Sequence, residues 1–219
     1  SHSFYMKQKV LVTGGTGYIG SHTIVSLIEH GFEVVSVDSG INSDTYALKA
    51  IKSLTNVEVF NYNIDLCNYE ASEQIFKDHT NIAGIIHFAA LKAVGESVAK
   101  PLLYYKNNLE SLINILSLAI KYRVKGFIFS SSCTVYGDVH QSPIDEATPW
   151  QEAVSPYGRT KQIGEDIIRD TLKTTELKGI LLRYFNPAGA HPSGILGESP
   201  INQPQNLVPV ITETAIGRR

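Results

Sequence analysis

Short apolar runs alternate with longer segments in which apolar residues recur every three or four positions, from residue 9 to residue 186. The short runs predict six β-strands, at residues 9–13, 33–38, 57–65, 82–89, 126–131 and 179–184. The longer segments predict helices near residues 17–30, 69–79, 101–122 and 156–172. Because strands that alternate with helices pair in parallel through right-handed crossovers, we predict an α/β fold with a doubly wound, Rossmann-type parallel sheet.

The pattern changes after residue 186. Residues 187–205 are rich in Pro, Gly and Asn without clear periodicity, and residues 206–217 resemble a short helix. A long irregular stretch in a compact domain is usually functional or a linker. We therefore predict one domain at residues 6–186 and, at residues 187–219, the beginning of a smaller substrate domain that is truncated at the C-terminus.

The turn after the first predicted strand carries three glycines, Gly14, Gly17 and Gly20. In a dinucleotide site the first glycine permits a tight turn and the second leaves room for the pyrophosphate. The third lets the following helix pack close to the sheet. An ordinary strand-to-helix turn could also contain glycines, but an apolar strand precedes this turn and an apolar helical run follows it. We predict that residues 6–186 bind a dinucleotide.

Acidic residues end the second and third predicted strands. Asp38 lies 18 residues beyond Gly20, where a carboxylate accepts hydrogen bonds from the ribose hydroxyls of NAD and repels the 2′-phosphate of NADP. No Arg follows within the next 20 residues, so NAD is the predicted cofactor. Asp65 and Leu66 suit the edge of an adenine, although a structural role in a turn is nearly as plausible for Asp65.

Tyr157 and Lys161 stand four residues apart at the start of the last predicted helix, on one helix face. A cation one turn away is expected to lower the pKa of a phenol toward working pH, which suits a general base. Ser132, at the end of the fifth predicted strand, is the predicted hydrogen-bonding partner. The alternative is an exposed Tyr beside a solvated Lys; Tyr5 and Lys9 share the spacing, but Tyr5 precedes the first strand and lies far from any strand-end crevice.

Composition removes several other classes of function. The 219 residues are 43% hydrophobic with a formal net charge of −2, so neither nucleic acid nor a membrane surface is an expected partner. Two cysteines, Cys67 and Cys133, favour a reducing compartment, and we predict a cytoplasmic protein. The seven His show no metal-ligand spacing, so no metal is predicted, and His22 and His87 are interpreted as structural. Cys133 is interpreted as a packing thiol.

Five stretches together resemble the UDP-glucose 4-epimerases, a family of the extended short-chain dehydrogenase/reductase superfamily. They are TGGTGYIGSHT at residues 13–23, FAALKAVGES at 88–97, FSSSCTVYG at 129–137, SPYGRTK at 155–161 and LRYFNPAGAHPSG at 182–194. Two positions depart from the family pattern, Ala90 in place of Gly and Cys133 in place of Ala. We expect neither change to abolish activity.

The resemblance implies specific roles for individual residues. The residues expected to contact NAD are Gly14, Gly17, Tyr18, Ile19, Gly20, Asp38, Asn42, Asp65, Leu66, Phe88, Ala89, Lys92, Asn107, Tyr157, Lys161 and Tyr184. Those expected to hold the UDP-sugar are Lys92, Ser132, Tyr157, Asn186, Asn206 and Leu207. Tyr157, Lys161 and Ser132 are the expected catalytic residues.

The implied reaction interconverts UDP-galactose and UDP-glucose. In it, Tyr157 accepts the proton of the sugar 4-hydroxyl while hydride leaves carbon 4 for NAD, and hydride then returns to the opposite face of a 4-keto sugar. Lys161 would assist Tyr157 and hold the cofactor ribose. The family also implies a homodimer formed through the helices at residues 101–122 and 156–172. Family members continue for about a hundred further residues, so we expect residues 1–219 alone to be weakly active or inactive.

Two alternatives remain at this point. A nucleotide-sugar 4,6-dehydratase begins with the same oxidation but needs an added acid and base, an Asp-Glu pair where this chain has Cys133 and Thr134. A non-catalytic NAD-binding sensor would commonly lose the tyrosine–lysine pair, which this chain keeps. Both alternatives are therefore less favoured than the epimerase.

Overall fold

The computed structural model describes residues 6–40, 45–132, 135 and 147–184. In that part of the chain, six strands form one parallel sheet in the order β3-β2-β1-β4-β5-β6. The strands are β1 (Lys9–Thr13), β2 (Glu33–Val37), β3 (Asn61–Tyr62), β4 (Ile82–His87), β5 (Gly126–Ser132) and β6 (Lys178–Tyr184). The helices are α1 (Tyr18–Glu29), α2 (Thr45–Thr55), α3 (Tyr69–Asp78), α4 (Val94–Ala99), α5 (Pro101–Lys121) and α6 (Pro156–Leu172). The predicted doubly wound α/β sheet is confirmed.

Both faces of the sheet are buried. Alternate residues of β1 point to opposite faces, so Leu11 joins the buried cluster that includes residues of α3, α5 and α6. Val10 and Val12 join a second cluster that includes residues of α1 and α2. Burial on two faces explains why the strands are continuous apolar runs rather than alternating ones.

The third strand is much shorter than the predicted 57–65. Only Asn61 and Tyr62 pair with β2, because β3 is an edge strand and its single partner ends at Val37. Phe60, just before the pairing, is 64% exposed. An apolar pattern at a sheet edge therefore overstated the length of the strand.

Helices α2 and α4 were not predicted. Helix α2 buries only Ala47, Ala50 and Ile51, and the segment before it, residues 41–44, lies outside the described part of the chain. Helix α4 is six residues long, and its buried residue is Ser97, which is held by hydrogen bonds. Neither helix has the long apolar face that produces a helical pattern of apolar residues in the sequence.

The chain reverses its direction of winding between β1 and β4, which are neighbours in the sheet. Crossovers on the two sides of this point run to opposite edges, so a crevice opens beyond the carboxyl ends of the central strands. The glycine turn and the loop after β4 meet there. The predicted second domain, residues 187–219, lies outside the described residues, and its boundary stays a prediction.

Candidate active site

A cavity of about 620 Å³ lies at the carboxyl ends of the strands. Ten residues with predicted cofactor contacts line it: Gly14, Gly17, Tyr18, Asp38, Asp65, Leu66, Phe88, Ala89, Lys92 and Asn107. A second cavity, of about 690 Å³, is lined by residues 150–156 with Tyr105, Arg159 and Gln162, and none of the predicted site residues lines it. We therefore place the candidate site in the first cavity, which is called the crevice below.

The glycine turn is shaped by three close backbone approaches. Gly14 has φ +68° and donates its N–H to the Val37 carbonyl at 2.8 Å; a Cβ there would lie 2.9 Å from the Ala89 nitrogen. Gly17 is the N-cap of α1, and its N–H donates to the Gly14 carbonyl at 3.1 Å. A Cβ at Gly20 would overlap that same carbonyl. The result is a side-chain-free cradle at a helix N-terminus, which fits a pyrophosphate.

Asp38 immediately follows β2 and is half-buried at the crevice wall. Its Oδ1 accepts a weak hydrogen bond from the Gly40 N–H at 3.3 Å, so the carboxylate keeps acceptor capacity for a ribose. Lys92 lies close enough for the two charges to interact. Burial lowers the pKa of the Lys92 ammonium, and the negative charge of Asp38 opposes that effect. By surface area Lys92 as a whole is exposed, and it is one of the residues that line the crevice.

Asp65 has the turn role that the sequence left open. Its Oδ1 accepts the Cys67 N–H at 2.9 Å and its carbonyl accepts the Asn68 N–H at 2.9 Å. Leu66 is 5% exposed and belongs to the core cluster. Both residues nevertheless line the crevice, so the turn is what brings them to the site.

The loop after β4 is fastened from two sides. The Thr13 hydroxyl accepts the Ala89 N–H at 3.1 Å and contacts His87 Nδ1 at 2.7 Å. Asn108 of α5 accepts the Leu91 N–H at 2.9 Å and donates to the Leu91 carbonyl at 3.1 Å. These bonds hold the crevice wall against the glycine turn.

Tyr157 lies in the first turn of α6 and is fixed through its backbone. Ser155 caps the helix by accepting the Gly158 N–H at 3.1 Å, and the Tyr157 N–H donates to the Ser97 hydroxyl of α4 at 3.1 Å. The Tyr157 phenol hydrogen-bonds to the Ser132 side chain at the end of β5. The predicted pair of hydroxyls is thus in contact.

Lys161 is buried one turn further along α6. Its Nζ donates to the Ser130 carbonyl at 2.8 Å and lies 4.9 Å from the centre of the Phe129 ring. Burial and then the charge of Lys92 lower the pKa of Lys161 to about 7, while Glu165 opposes them. With a pKa of about 7, Lys161 carries its positive charge in only part of the molecules at neutral pH.

In the described positions the pKa of Tyr157 is raised rather than lowered, and Lys161 is not among the groups that shift it; that Lys161 and a nicotinamide ring together lower this pKa stays a prediction. Burial raises the pKa of Tyr157, the Ser132 hydrogen bond lowers it in part, and Tyr104 adds to the rise. The physical reason is that the Lys161 ammonium is directed to the Ser130 carbonyl, 5.9 Å from the centre of the Tyr157 ring. The hydrogen bond from Ser132 is the contact that favours the phenolate.

The sequence matches the model of the "NAD dependent epimerase/dehydratase family" over residues 10–210. The chain belongs to this family. It is 50% identical over 212 residues to the UDP-glucose 4-epimerase of Dictyostelium discoideum, covering 96% of this chain and 61% of that protein. It is 45% identical over 221 residues to the UDP-glucose 4-epimerase of Bos taurus, covering 98% of this chain and 63% of the relative.

Among solved structures, the chain is similar to UDP-glucose 4-epimerase from Bifidobacterium longum in complex with NAD+ and UDP. The TM-score is 0.84 at 46% identity, covering 97% of this chain and 63% of that one. The chain thus spans about three fifths of the length of these relatives.

The other residues predicted for the site of this epimerase/dehydratase family member fall into three groups: some lie in or beside the crevice wall, one ends a neighbouring strand, and some are outside the described ranges. Ile19 and Gly20 lie in α1, and Tyr157 and Lys161 lie beside the crevice, next to its lining residues Tyr104 and Lys92. Tyr184 ends β6 in register with Ser132. Asn42, Asn186, Asn206 and Leu207, together with Cys133, lie outside the described residues.

Sequence reasoning missed the residues that hold the site in place. Ser97 ends the quoted stretch at residues 88–97 but was given no role there, and Asn108 lies in none of the five stretches; the role of each is recognisable only once α4, α5 and α6 are packed together. His22 and His87, interpreted as structural, are both buried, at 3% and 2% exposure. Glu165, fully buried on α6, was not singled out from the sequence at all.

Within the described part of the chain, no group of three or more His, Cys, Asp or Glu side chains is placed to hold a metal ion. No helix in the same ranges is long and apolar enough to cross a membrane.

Proposed function

We propose that the protein containing this chain binds NAD and interconverts UDP-galactose and UDP-glucose. The observation that carries the proposal is the Ser132–Tyr157 hydrogen bond, with Lys161 one turn along, beside a crevice whose glycine turn fits a pyrophosphate. The relatives that match nearly the whole chain at 45–50% identity are named as UDP-glucose 4-epimerases.

The crevice residues fit NAD in three respects. The glycine cradle at α1 offers backbone N–H groups and no side chain to the pyrophosphate. Asp38 lines the crevice and would accept hydrogen bonds from the ribose hydroxyls of the adenosine half. Lys161, at the other side, would hold the nicotinamide ribose. When bound, NAD supplies a reversible hydride acceptor for carbon 4 of the sugar.

The residues of the chain would then move one proton and hold the sugar. Tyr157 accepts the proton of the sugar 4-hydroxyl and returns it at the end of the cycle. Ser132 hydrogen-bonds to the sugar 4-oxygen and to the phenol oxygen of Tyr157. Tyr157 accepts this proton as the phenolate, whose formation burial opposes by raising the pKa of Tyr157 and the Ser132 hydrogen bond favours. Lys161 supplies positive charge to this pocket. Asn186, Asn206 and Leu207 remain proposed contacts of the UDP-sugar, as does Lys92.

The test uses the longest natural protein that contains this chain. We would incubate it with NAD and UDP-galactose and follow the sugar by NMR. UDP-glucose should appear without net NADH, Tyr157→Phe should abolish the conversion, and Tyr69→Phe, an exposed residue of α3, should leave it unchanged. A 4-keto-6-deoxy product would show a dehydratase, and an unchanged sugar would refute the proposal. The same assay on residues 1–219 tests the prediction that this chain alone is weakly active or inactive.

We also propose a homodimer formed through α5 and α6. Helix α5 leaves Leu102, Ile113 and Ile120 exposed, at 81%, 47% and 41%, and with half-buried Leu109 they are spaced 7, 4 and 7 residues apart. This is the spacing of an interhelical seam. Ile113→Glu should convert a dimer to a monomer in analytical ultracentrifugation, whereas a wild-type monomer would contradict the proposal.

A reducing compartment, the cytosol, is proposed from the cysteine content. Cys67 is a free thiol, and burial together with Asp65 raises its pKa to about 12, so it is a poor thiolate. Subcellular fractionation tests the location, and recovery of the protein in a secreted fraction would contradict it.

A further inference from the structure

Glu165 of α6 is fully buried, yet none of the steps proposed above uses it. Its Oε1 accepts from Arg183 Nη2 at 2.7 Å and from Arg169 Nη2 at 2.9 Å. Its Oε2 accepts from the Ser131 hydroxyl at 2.6 Å and from Arg183 Nε at 3.1 Å. A buried carboxylate is retained only where such bonds satisfy it, so this cluster needs an explanation.

This cluster of Glu165 with Ser131, Arg169 and Arg183 connects α6 to the carboxyl ends of β5 and β6. Ser131 of β5 and Arg183 of β6 are direct partners in the strand register, and both donate to the same carboxylate. The residues on either side of Ser131 serve the candidate catalytic groups. The Ser130 carbonyl accepts from Lys161, and the Ser132 side chain bonds to Tyr157. Glu165 thus fixes the short stretch of β5 that positions both.

The same carboxylate is the anion nearest in sequence to Lys161, one helical turn away. The groups that act on Lys161 come from three places: Lys92 in the loop after β4, His87 on β4, and Tyr157 with Glu165 on α6. Burial and Lys92 lower the pKa of Lys161 to about 7, and Glu165 raises it. His87 adds no charge at neutral pH, because burial holds its pKa near 3.

We propose that Glu165 is a positioning residue of the acid–base site, which holds the end of β5 against α6 and supplies the negative charge beside Lys161. The inference rests on the proposed function in assigning that site, but its structural part can be tested without turnover.

Two substitutions separate the two roles in the full-length protein. Glu165→Gln keeps the length of the side chain and removes its charge. Glu165→Gln should therefore lower the pKa of Lys161 by roughly one pH unit. This pKa can be followed by NMR of protein labelled with carbon-13 at lysine Cε, with Lys161→Arg used to assign the signal. The basic limb of the kcat profile should move with it. Glu165→Asp keeps the charge and loses reach to Ser131 and Arg183, so it should lower kcat roughly tenfold without moving the titration.

Asp166→Asn is the matched control. Asp166 neighbours Glu165, is 60% exposed and also lies 3.7 Å from Arg169, so its replacement should change neither quantity. An unchanged Lys161 titration in Glu165→Gln, or an equal shift in Asp166→Asn, would overturn the charge role. Wild-type kcat in Glu165→Asp would overturn the positioning role.

Folding and function can be judged separately from these outcomes. The centre of the Trp150 ring lies 5.2 Å from the Arg169 guanidinium and 5.8 Å from that of Arg183, so the part of the protein's fluorescence that Trp150→Phe removes reports whether the cluster is intact. If Glu165→Gln does not fold, Ser131→Ala replaces it and should lower kcat with the Lys161 titration unmoved; wild-type kcat there would overturn the proposal. If the wild-type protein does not convert UDP-galactose, the proposed function fails, and the Lys161 titration still decides the inference.

Discussion

His87 should make the protein sensitive to acid in a way that can be traced to one side chain. It is 2% exposed at the end of β4, its Nδ1 contacts the Thr13 hydroxyl at 2.7 Å, and its ring stacks on Phe129. Burial, together with the charges of Lys161 and Lys92, lowers the pKa of His87 from the ordinary 6.5 to about 3. The ring is therefore neutral in the folded protein throughout the range in which it gains a proton in the unfolded chain.

The sign of the effect follows from proton counting. Between about pH 6.5 and pH 3 the unfolded chain binds a proton at His87 that the folded protein does not, so stability falls as the pH falls through this window. Each pH unit is worth about 1.4 kcal/mol. At about pH 4.5, two units below the unfolded pKa, His87 alone should remove roughly 2.7 kcal/mol from the free energy of unfolding.

The assay is urea unfolding of the full-length protein at a series of pH values, with His87→Asn as the variant. Asn keeps an acceptor for Thr13 but does not titrate, so between about pH 7 and pH 4.5 it should lose roughly 2.7 kcal/mol less than the wild type. His30→Asn, at the exposed end of α1, should behave as the wild type. The reasoning is refuted if wild type and His87→Asn lose stability equally.

Three further predictions concern the crevice. Gly14→Ala should lose roughly 2 kcal/mol or more in urea unfolding, because φ is +68° there and a Cβ would lie 2.9 Å from the Ala89 nitrogen; wild-type stability would contradict the proposed turn geometry. Asp38→Asn should weaken NAD binding about tenfold in calorimetric titration and reduce the preference of the protein for NAD over NADP, since it exchanges a charged acceptor for a neutral one. An unaltered preference would show that Asp38 does not contact the ribose. Asn108→Ala should lose about 3 kcal/mol because both backbone groups of Leu91 lose their partner, with Ser117→Ala on the exposed face of α5 as control; a loss no larger than that control's would show that the clamp is unimportant.

The fold could be predicted because its central strands are buried on both faces. Such strands are continuous apolar runs: β1 occupies the predicted residues, and β4 and β5 lie within two residues of the predicted bounds. The edge strand β6 is only half-buried, yet it lies within one residue of its predicted bounds because it pairs with β5 along its whole length. Predictions failed where burial is incomplete: β3 lies at the sheet edge, and α4 is held by the Ser97 hydroxyl rather than by an apolar face. Hydrogen-bonded elements leave little trace in a hydrophobic pattern.

The candidate site could be predicted where a motif is local in sequence. Gly14, Gly17 and Gly20 act within one turn, and Tyr157 and Lys161 within one helix face. Electrostatics could not be predicted in this way, because the direction of the Lys161 ammonium depends on the Ser130 carbonyl of a different element. The role of Glu165 depends on three elements meeting, which no spacing in the sequence shows.

The most direct test of the central claim is to follow a label at the reacting carbon. The full-length protein would be given UDP-galactose carrying deuterium at carbon 4, in ordinary water, and the product would be examined by NMR. If oxidation and return occur at that carbon with Tyr157 handling only the oxygen-bound proton, the deuterium should remain at carbon 4 of UDP-glucose, and Tyr157→Phe should stop the conversion. Loss of the deuterium to water, or undiminished conversion by Tyr157→Phe, would contradict the account.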